Sequence, residues 1–139
     1  MTSGRLFKMH LTDWAAKFGV DMDALARQTV QQLSENVVVD TPVDTGFLRA
    51  SWQPSLGSPS PGKGSPMAAE AAAGKVMAEV GIVASSMKAG DTYYMVNNAE
   101  YAPHVEFGTS QMQGRYFVTD NMKRARNVVQ KIAKELGKK

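Results

Sequence analysis

Apolar residues along this chain recur with two different periods, and the changes between them divide it into segments. Met22, Leu25, Ala26, Thr29, Leu33 and Val37 share one face at the helical period, which predicts a main helix over residues 21–40. Asp21 or Asp23 can cap it, and acidic residues in its first turn suit the helix dipole. Three successive valines, Val37 to Val39, weaken its last turn. Pro42 lacks an N–H and pushes Thr41 away from the helical region, so the helix should end there. The pattern then alternates. Leu48, Ala50 and Trp52 oppose Arg49, Ser51 and Gln53, predicting a half-buried strand over 47–53. Val76, Ala78, Val80 and Ile82 alternate in the same way and predict a second strand over 75–83. Tyr93, Tyr94 and Val96 predict a third over 91–97. The helical period returns at the end: Val118, Met122, Ala125, Val129, Ile132 and Leu136 are spaced by 4, 3, 4, 3 and 4 residues. That stripe predicts a C-terminal helix over 117–136, lying on the sheet or on a neighbouring subunit.

The connections are read from their turn chemistry. Residues 1–20 form a lead-in, with a possible strand over 5–11 and a short helix capped by Thr12 or Asp13 and ended by Gly19. Residues 54–66 hold four prolines and three glycines, which a helix or central strand does not tolerate. With a helical turn at 68–73, the excursion over 54–74 becomes a long Pro/Gly/Ser-rich hairpin loop, and loops of that length are functional or disordered. Residues 101–107 read as a short helix or extended arm with Pro103 in its first turn, and 108–115 as polar loop. The expected architecture is a single α+β domain over 1–139. A long N-terminal helix and a C-terminal helix pack on a mostly antiparallel sheet of three to five strands, with the sheet region at 47–107.

Composition changes this picture in one place. At 139 residues and 43% apolar, the chain suits one soluble globular domain. No stretch approaches the roughly 20 apolar residues that span a bilayer, and the N-terminus lacks a secretory apolar core, so a cytoplasmic working compartment is expected. The absence of cysteine excludes disulfides and thiolate chemistry. The net charge of +3 is unevenly placed. Residues 117–139 carry seven Lys/Arg against Asp120 and Glu135, while residues 1–116 carry nine against eleven acidic groups. A basic tail on a nearly neutral body can meet nucleic acid or an acidic neighbouring subunit, or simply be a solvated face.

Candidate chemistry fails on closer reading. Asp44-Thr45-Gly46 matches the aspartic-protease triplet, but Pro42 interrupts the strand that should deliver the aspartate. The run from Gly57 to Gly64 imitates a phosphate-binding loop, yet Gly64 stands where the magnesium-binding hydroxyl belongs, and Pro59 and Pro61 remove cradle N–H groups. His104 and Glu106 lack further ligands for zinc, and Ser51, Ser85 and Ser86 lack a base. The aromatic residues read as core. No enzyme activity, cofactor or metal is expected.

Thr41-Pro42-Val43-Asp44-Thr45-Gly46-Phe47-Leu48-Arg49-Ala50-Ser51 is followed, fifty residues on, by Tyr101-Ala102-Pro103-His104-Val105-Glu106-Phe107-Gly108-Thr109 and then Arg115-Tyr116-Phe117. This order resembles the neck or tail-completion (tail terminator-like, head–tail joining) proteins of long-tailed bacteriophages, whose "P-V-D-T-G-x-L-R-x-S" corner precedes "Y-A-x-x-x-E-F-G-T", an aromatic "R-x-F" and a closing helix. The family more often has a proline before that phenylalanine, and Tyr116 departs from it. The likeness covers roughly residues 20 to 136. It implies motif positions at Pro42, Asp44, Thr45, Gly46, Leu48, Arg49, Tyr101, Glu106, Phe107, Gly108, Thr109 and Phe117. It also implies a virion structural protein of the head–tail junction, present in the host cytoplasm during assembly and acting without a membrane. Such proteins form a homo-oligomeric ring, a hexamer by preference or a dodecamer, between connector and tail-tube proteins, through which genomic DNA passes. Closing a ring needs heterologous interfaces, and Ile132 and Lys63 are the candidate contacts. Arg49 and Glu106 would form an ion pair joining the two motifs, or remain two solvated side chains. A small nucleic-acid-binding protein using the basic C-terminal helix, and a tail-tube or capsid-associated subunit, are the alternatives.

Overall fold

A computed structural model describes Lys17 and residues 19–42, 46–62, 64 and 67–137. Among them the elements are α1 (Met22–Asp40), α2 (Phe47–Ala50), β1 (Trp52–Leu56), α3 (Ala69–Ser85), β2 (Tyr93–Asn97), α4 (Ala102–Phe107), β3 (Gly108–Thr109), β4 (Met112–Gln113), α5 (Phe117–Lys123) and α6 (Ala125–Gly137). The fold is α+β. The predicted lead-in features at 5–16 lie outside the described residues.

Helix α1 is the axis of the fold. The Asp21 carboxylate accepts from the N–H groups of Asp23 (2.7 Å) and Ala24 (3.1 Å), the N-cap expected from sequence. The helix continues to Asp40 despite its three valines, because tertiary packing repays their poor propensity: Val37 and Val38 are buried. The predicted inward face is buried except for Met22, and Val30, Ser34 and Val38 join it. So wide a buried face reflects several neighbours, among them the helices α3, α5 and α6. Leu25 packs with Val129, Ile132 and Ala133; Ala26 and Val30 pack with Ala84 and Met87; Val37 and Val38 join Leu48, Trp52, Val76 and Val80.

Three expectations are corrected. First, residues 47–50 form a helical turn, and the strand begins only at Trp52. Leu48, Ala50 and Trp52 are all buried, as alternation required, but Leu48 and Ala50 get there by a turn of helix. Second, 75–83 belongs to helix α3. Ala72, Val76, Val80 and Ala84 are completely buried at steps of four, whereas Ile82, on the supposed strand face, is 72% exposed. Third, among the described residues the main sheet is a two-stranded antiparallel ribbon, with Trp52 opposite Asn97 and Leu56 opposite Tyr93, and three to five strands are not seen there. A further two-residue ladder, Gly108–Thr109 with Met112–Gln113, sits within the predicted polar loop. The helices therefore pack mainly on one another.

The excursion at 54–74 is correspondingly shorter and is no hairpin. Its first residues continue β1 and its last begin α3. Its middle is pinned: Asn98 Nδ2 donates to the carbonyls of Ser60 and Gly62 (2.8 Å each), and the Gly64 N–H donates to Ser51 Oγ (3.3 Å). The C-terminal helix breaks at Arg124 into α5 and α6, and Met122 of the predicted stripe is 38% exposed.

Tyr93 reports on the α1–β2 contact. Its hydroxyl lies 2.8 Å from Ser34 Oγ, and burial pushes its pKa from 10.0 up to about 12. The unfolded phenol loses its proton near 10 and the folded one only near 12, so stability is full below pH 10 and declines between the two values. The expected loss is about 2 kcal/mol by pH 12, seen in urea melts, and Tyr93→Phe should flatten that decline. Equal alkaline slopes for the two proteins would show that Tyr93 does not carry it.

Candidate functional site

The first motif folds back on the end of α1. Thr41 caps the helix: its hydroxyl donates to the Val37 carbonyl (2.6 Å) and accepts from the Trp52 indole N–H (2.9 Å). Arg49 donates to the carbonyls of Val39 (2.8 Å) and Thr41 (3.2 Å), placing a cation where the helix dipole is negative. Pro42 is half-buried in this corner. Gly46 opens α2 with φ +71°, and a Cβ there would overlap the carbonyl oxygen of Met67. Four residues on, the backbone of Ala50 abuts Gly64, where a Cβ would likewise collide. The chain that leads into α3 is thus stacked directly on α2, and glycine is required on one side of each contact. Asp44, Thr45 and Lys63 lie outside the described residues.

The second motif is built around a buried carboxylate. Tyr101 precedes α4, Pro103 occupies its first turn, and Gly108 ends it at φ +86°. Glu106 is only 5% exposed. It accepts from the N–H groups of Val118 (3.0 Å) and Thr119 (2.8 Å) and from the Thr119 hydroxyl. These are orphan donors of the first turn of α5, which has no side-chain cap of its own. Glu106 is therefore a cap supplied from another helix. The N-cap residue, Tyr116, adopts φ 50° and donates its N–H to the Glu106 carbonyl (2.9 Å). Proline, with φ fixed near about −65° and no N–H, fits neither feature.

The two motifs meet, but not through the expected ion pair. Glu106 is committed to α5 and is too buried to offer its carboxylate to a neighbouring subunit, and Arg49 serves α1. The contact is made instead by Phe47 and Tyr101, whose ring centroids are 6.1 Å apart, and by Asn97 Nδ2, which donates to the Leu48 carbonyl (2.7 Å). Leu48, Ala102 and Phe117 share one core, and Phe117 meets Trp52 edge to face at 6.3 Å. Phe107 points outward, 64% exposed, with Thr109 exposed on the short ladder beside it. Ile132, proposed as an interface residue, is buried within the chain on α1. Sequence reasoning did not find Asn97, Thr119 or Met67, whose roles arise only from contacts across the fold.

Among the described residues no cluster of three His, Asp or Glu side chains could hold a metal ion, and no helix is long and apolar enough to cross a membrane. An open notch between α1 and the α5–α6 pair is lined by Asp40, Asn121 and Arg124, and by Val39, whose carbonyl accepts from Arg49. No protein-family model, curated protein or solved structure matches the chain.

If Glu106 holds the start of α5, Glu106→Gln should destabilise the domain by about 1.5–3 kcal/mol, since an amide nitrogen would then face backbone N–H donors. Urea melts measure this. A loss below about 0.5 kcal/mol, the range of ordinary surface changes, would show the cap to be dispensable.

Proposed function

We propose that this chain is a structural protein of a bacteriophage virion, placed at the head–tail junction as a neck, tail-completion or tail-terminator component. It forms a ring that joins the tail to the head and lets DNA pass. The observation that carries this reading is the ordered pair of motifs, 41–51 and 101–109, followed by Arg115-Tyr116-Phe117. Support comes from the way these segments are used: the first caps α1, the second caps α5, and both join one core through Phe47, Leu48, Ala102 and Phe117. Residues that define a fold's corners are what a resemblance in short motifs would retain.

Ring formation needs two different surfaces on each copy. Exposed Phe107 of α4 and Ile82 of α3 are apolar side chains available for such contacts. Imaging of the purified protein and of virions tests the reading. Closed rings of sixfold or twelvefold symmetry, with labelled protein at the head–tail junction, are expected. Open-ended polymerisation would favour a tail-tube subunit, and a protein that stays monomeric and is missing from virions would reject the reading.

A further inference from the structure

Helix α6 spends its whole apolar stripe on α1. Ala125, Val129, Ile132 and Ala133 are buried and Leu136 packs against the same cluster. What it offers outward is the opposite face. Asn127, Lys131 and Lys134 are exposed and fall within an arc of about 60° at the helical period. Arg124, exposed one turn earlier, stays in register because its carbonyl accepts from the Val128 N–H (3.1 Å). Lys123 precedes it, and half-buried Gln130 flanks the same arc. From Lys123 to Lys134 this ridge runs about 17 Å. The acidic groups nearby are Glu135 on its shoulder, half-buried Asp120 one turn before Arg124 on α5, and Asp40 and Glu35 at the notch beside Arg124.

We infer that the outward face of α5–α6 binds the phosphate backbone of a nucleic-acid duplex. Four cations and the amides of Asn127 and Gln130 provide donors along the ridge, which is as long as about five phosphate intervals of one strand. The neutral donors fit phosphate oxygens, which accept hydrogen bonds from amides as well as from cations. A second copy is the competing occupant, and the described surface does not match it. Exposed acidic residues among those described are scattered over Asp21, Glu35, Asp40, Glu70, Asp91, Glu100 and Glu135, with no acidic stripe of similar length. The biological substrate, a genome in transit, rests on the head–tail reading. Duplex binding by the purified chain does not.

The test is fluorescence anisotropy with a labelled duplex of about 30 base pairs, titrated with full-length protein across a salt series. Four phosphate contacts predict that log K falls against log salt with a slope of about −3 to −4, and K131E/K134E should bring it near −2. At low salt that double variant should bind at least about tenfold more weakly. K131E is compared with K88E, the same charge change at an exposed turn residue away from the ridge. K88E should stay within about twofold of the parent, since only phosphate-contacting cations contribute to the slope. Equal losses in K131E and K88E, or duplex binding unaffected by K131E/K134E, would overturn the assignment. Unchanged duplex binding with altered sedimentation would give the ridge to a second copy instead. Thermal melts of each variant confirm that the fold persists. Rings without duplex binding would reject this inference alone, and duplex binding without rings would reject the head–tail reading alone.

Discussion

Gly46→Val should leave little folded protein under conditions where the parent chain is stable. Two penalties coincide at this position. The backbone sits at φ +71°, where a β-branched residue is strained by about 1–3 kcal/mol. The added Cβ would also overlap the Met67 carbonyl oxygen, and neither partner can retreat easily. Gly46 is tied to α2 through its carbonyl, which accepts from the Ala50 N–H at 2.9 Å. Met67 leads directly into α3, whose Ala72, Val76 and Val80 are completely buried. Displacing either side reopens the core around Trp52, so an overpacking cost of about 1–3 kcal/mol adds to the strain. The total of about 2–6 kcal/mol is a large share of a domain's stability.

A comparison separates the two penalties. Gly57 also has positive φ, +84°, but a Cβ there would meet nothing within 4 Å. Gly57→Ala should therefore cost only about 1–2 kcal/mol from the left-handed backbone alone. Gly46→Ala should cost clearly more, because alanine already carries the colliding atom. Urea melts of the three variants measure the difference. Equal losses for Gly46→Ala and Gly57→Ala would show that the contact with Met67 relaxes freely.

How far the fold could be read in advance follows from where each signal resides. Helix α1 was legible because both ends are local: the Asp21 cap and the Thr41-Pro42 stop sit in adjacent residues. Helix α3 was not, because Val76, Val80 and Ala84 fit a step of four while Val76, Ala78, Val80 and Ile82 fit a step of two. Gly74 and Gly81 lower the helical propensity of the run, and a Cβ at either would meet nothing within 4 Å. The alanine-rich start at 71–73 and the length of the run were the signals that favour helix. Leu48, Ala50 and Trp52 posed the same ambiguity in a window too short to decide.

The motif region divides in the same way. That the chain turns between Thr41-Pro42 and Gly46 follows from proline, glycine and threonine chemistry, which is local. What the corner touches is not. Gly46 against Met67 and Asn97 against Leu48 are brought together by the path of the whole chain. Glu106 and Arg49 invited pairing because their charges are opposite. Each instead found a helix terminus, Glu106 the start of α5 and Arg49 the end of α1, so both complement a helix dipole. Opposite charge in two motifs says nothing about which partial charges lie nearer.

Ile132→Asp should lower the melting temperature of the chain by about 10–20 °C, corresponding to a loss of about 3–5 kcal/mol at this size. The side chain is 8% exposed and packs with Leu25, Val129 and Ala133, so the substitution removes apolar burial and inserts a carboxylate among apolar side chains. Ile132→Val, which trims one methyl group, should cost only about 0.5–1.5 kcal/mol. The neighbouring K131E, on the exposed face, should stay within about 0.5 kcal/mol. This gradient across adjacent positions distinguishes a helix docked on its own chain from one held in reserve for assembly. In the second case Ile132→Asp would leave the melt of the free chain unchanged and abolish only ring formation. That outcome would mean α6 leaves α1 to pack on a neighbouring copy, which would also turn its basic ridge from a surface facing nucleic acid into part of a subunit contact.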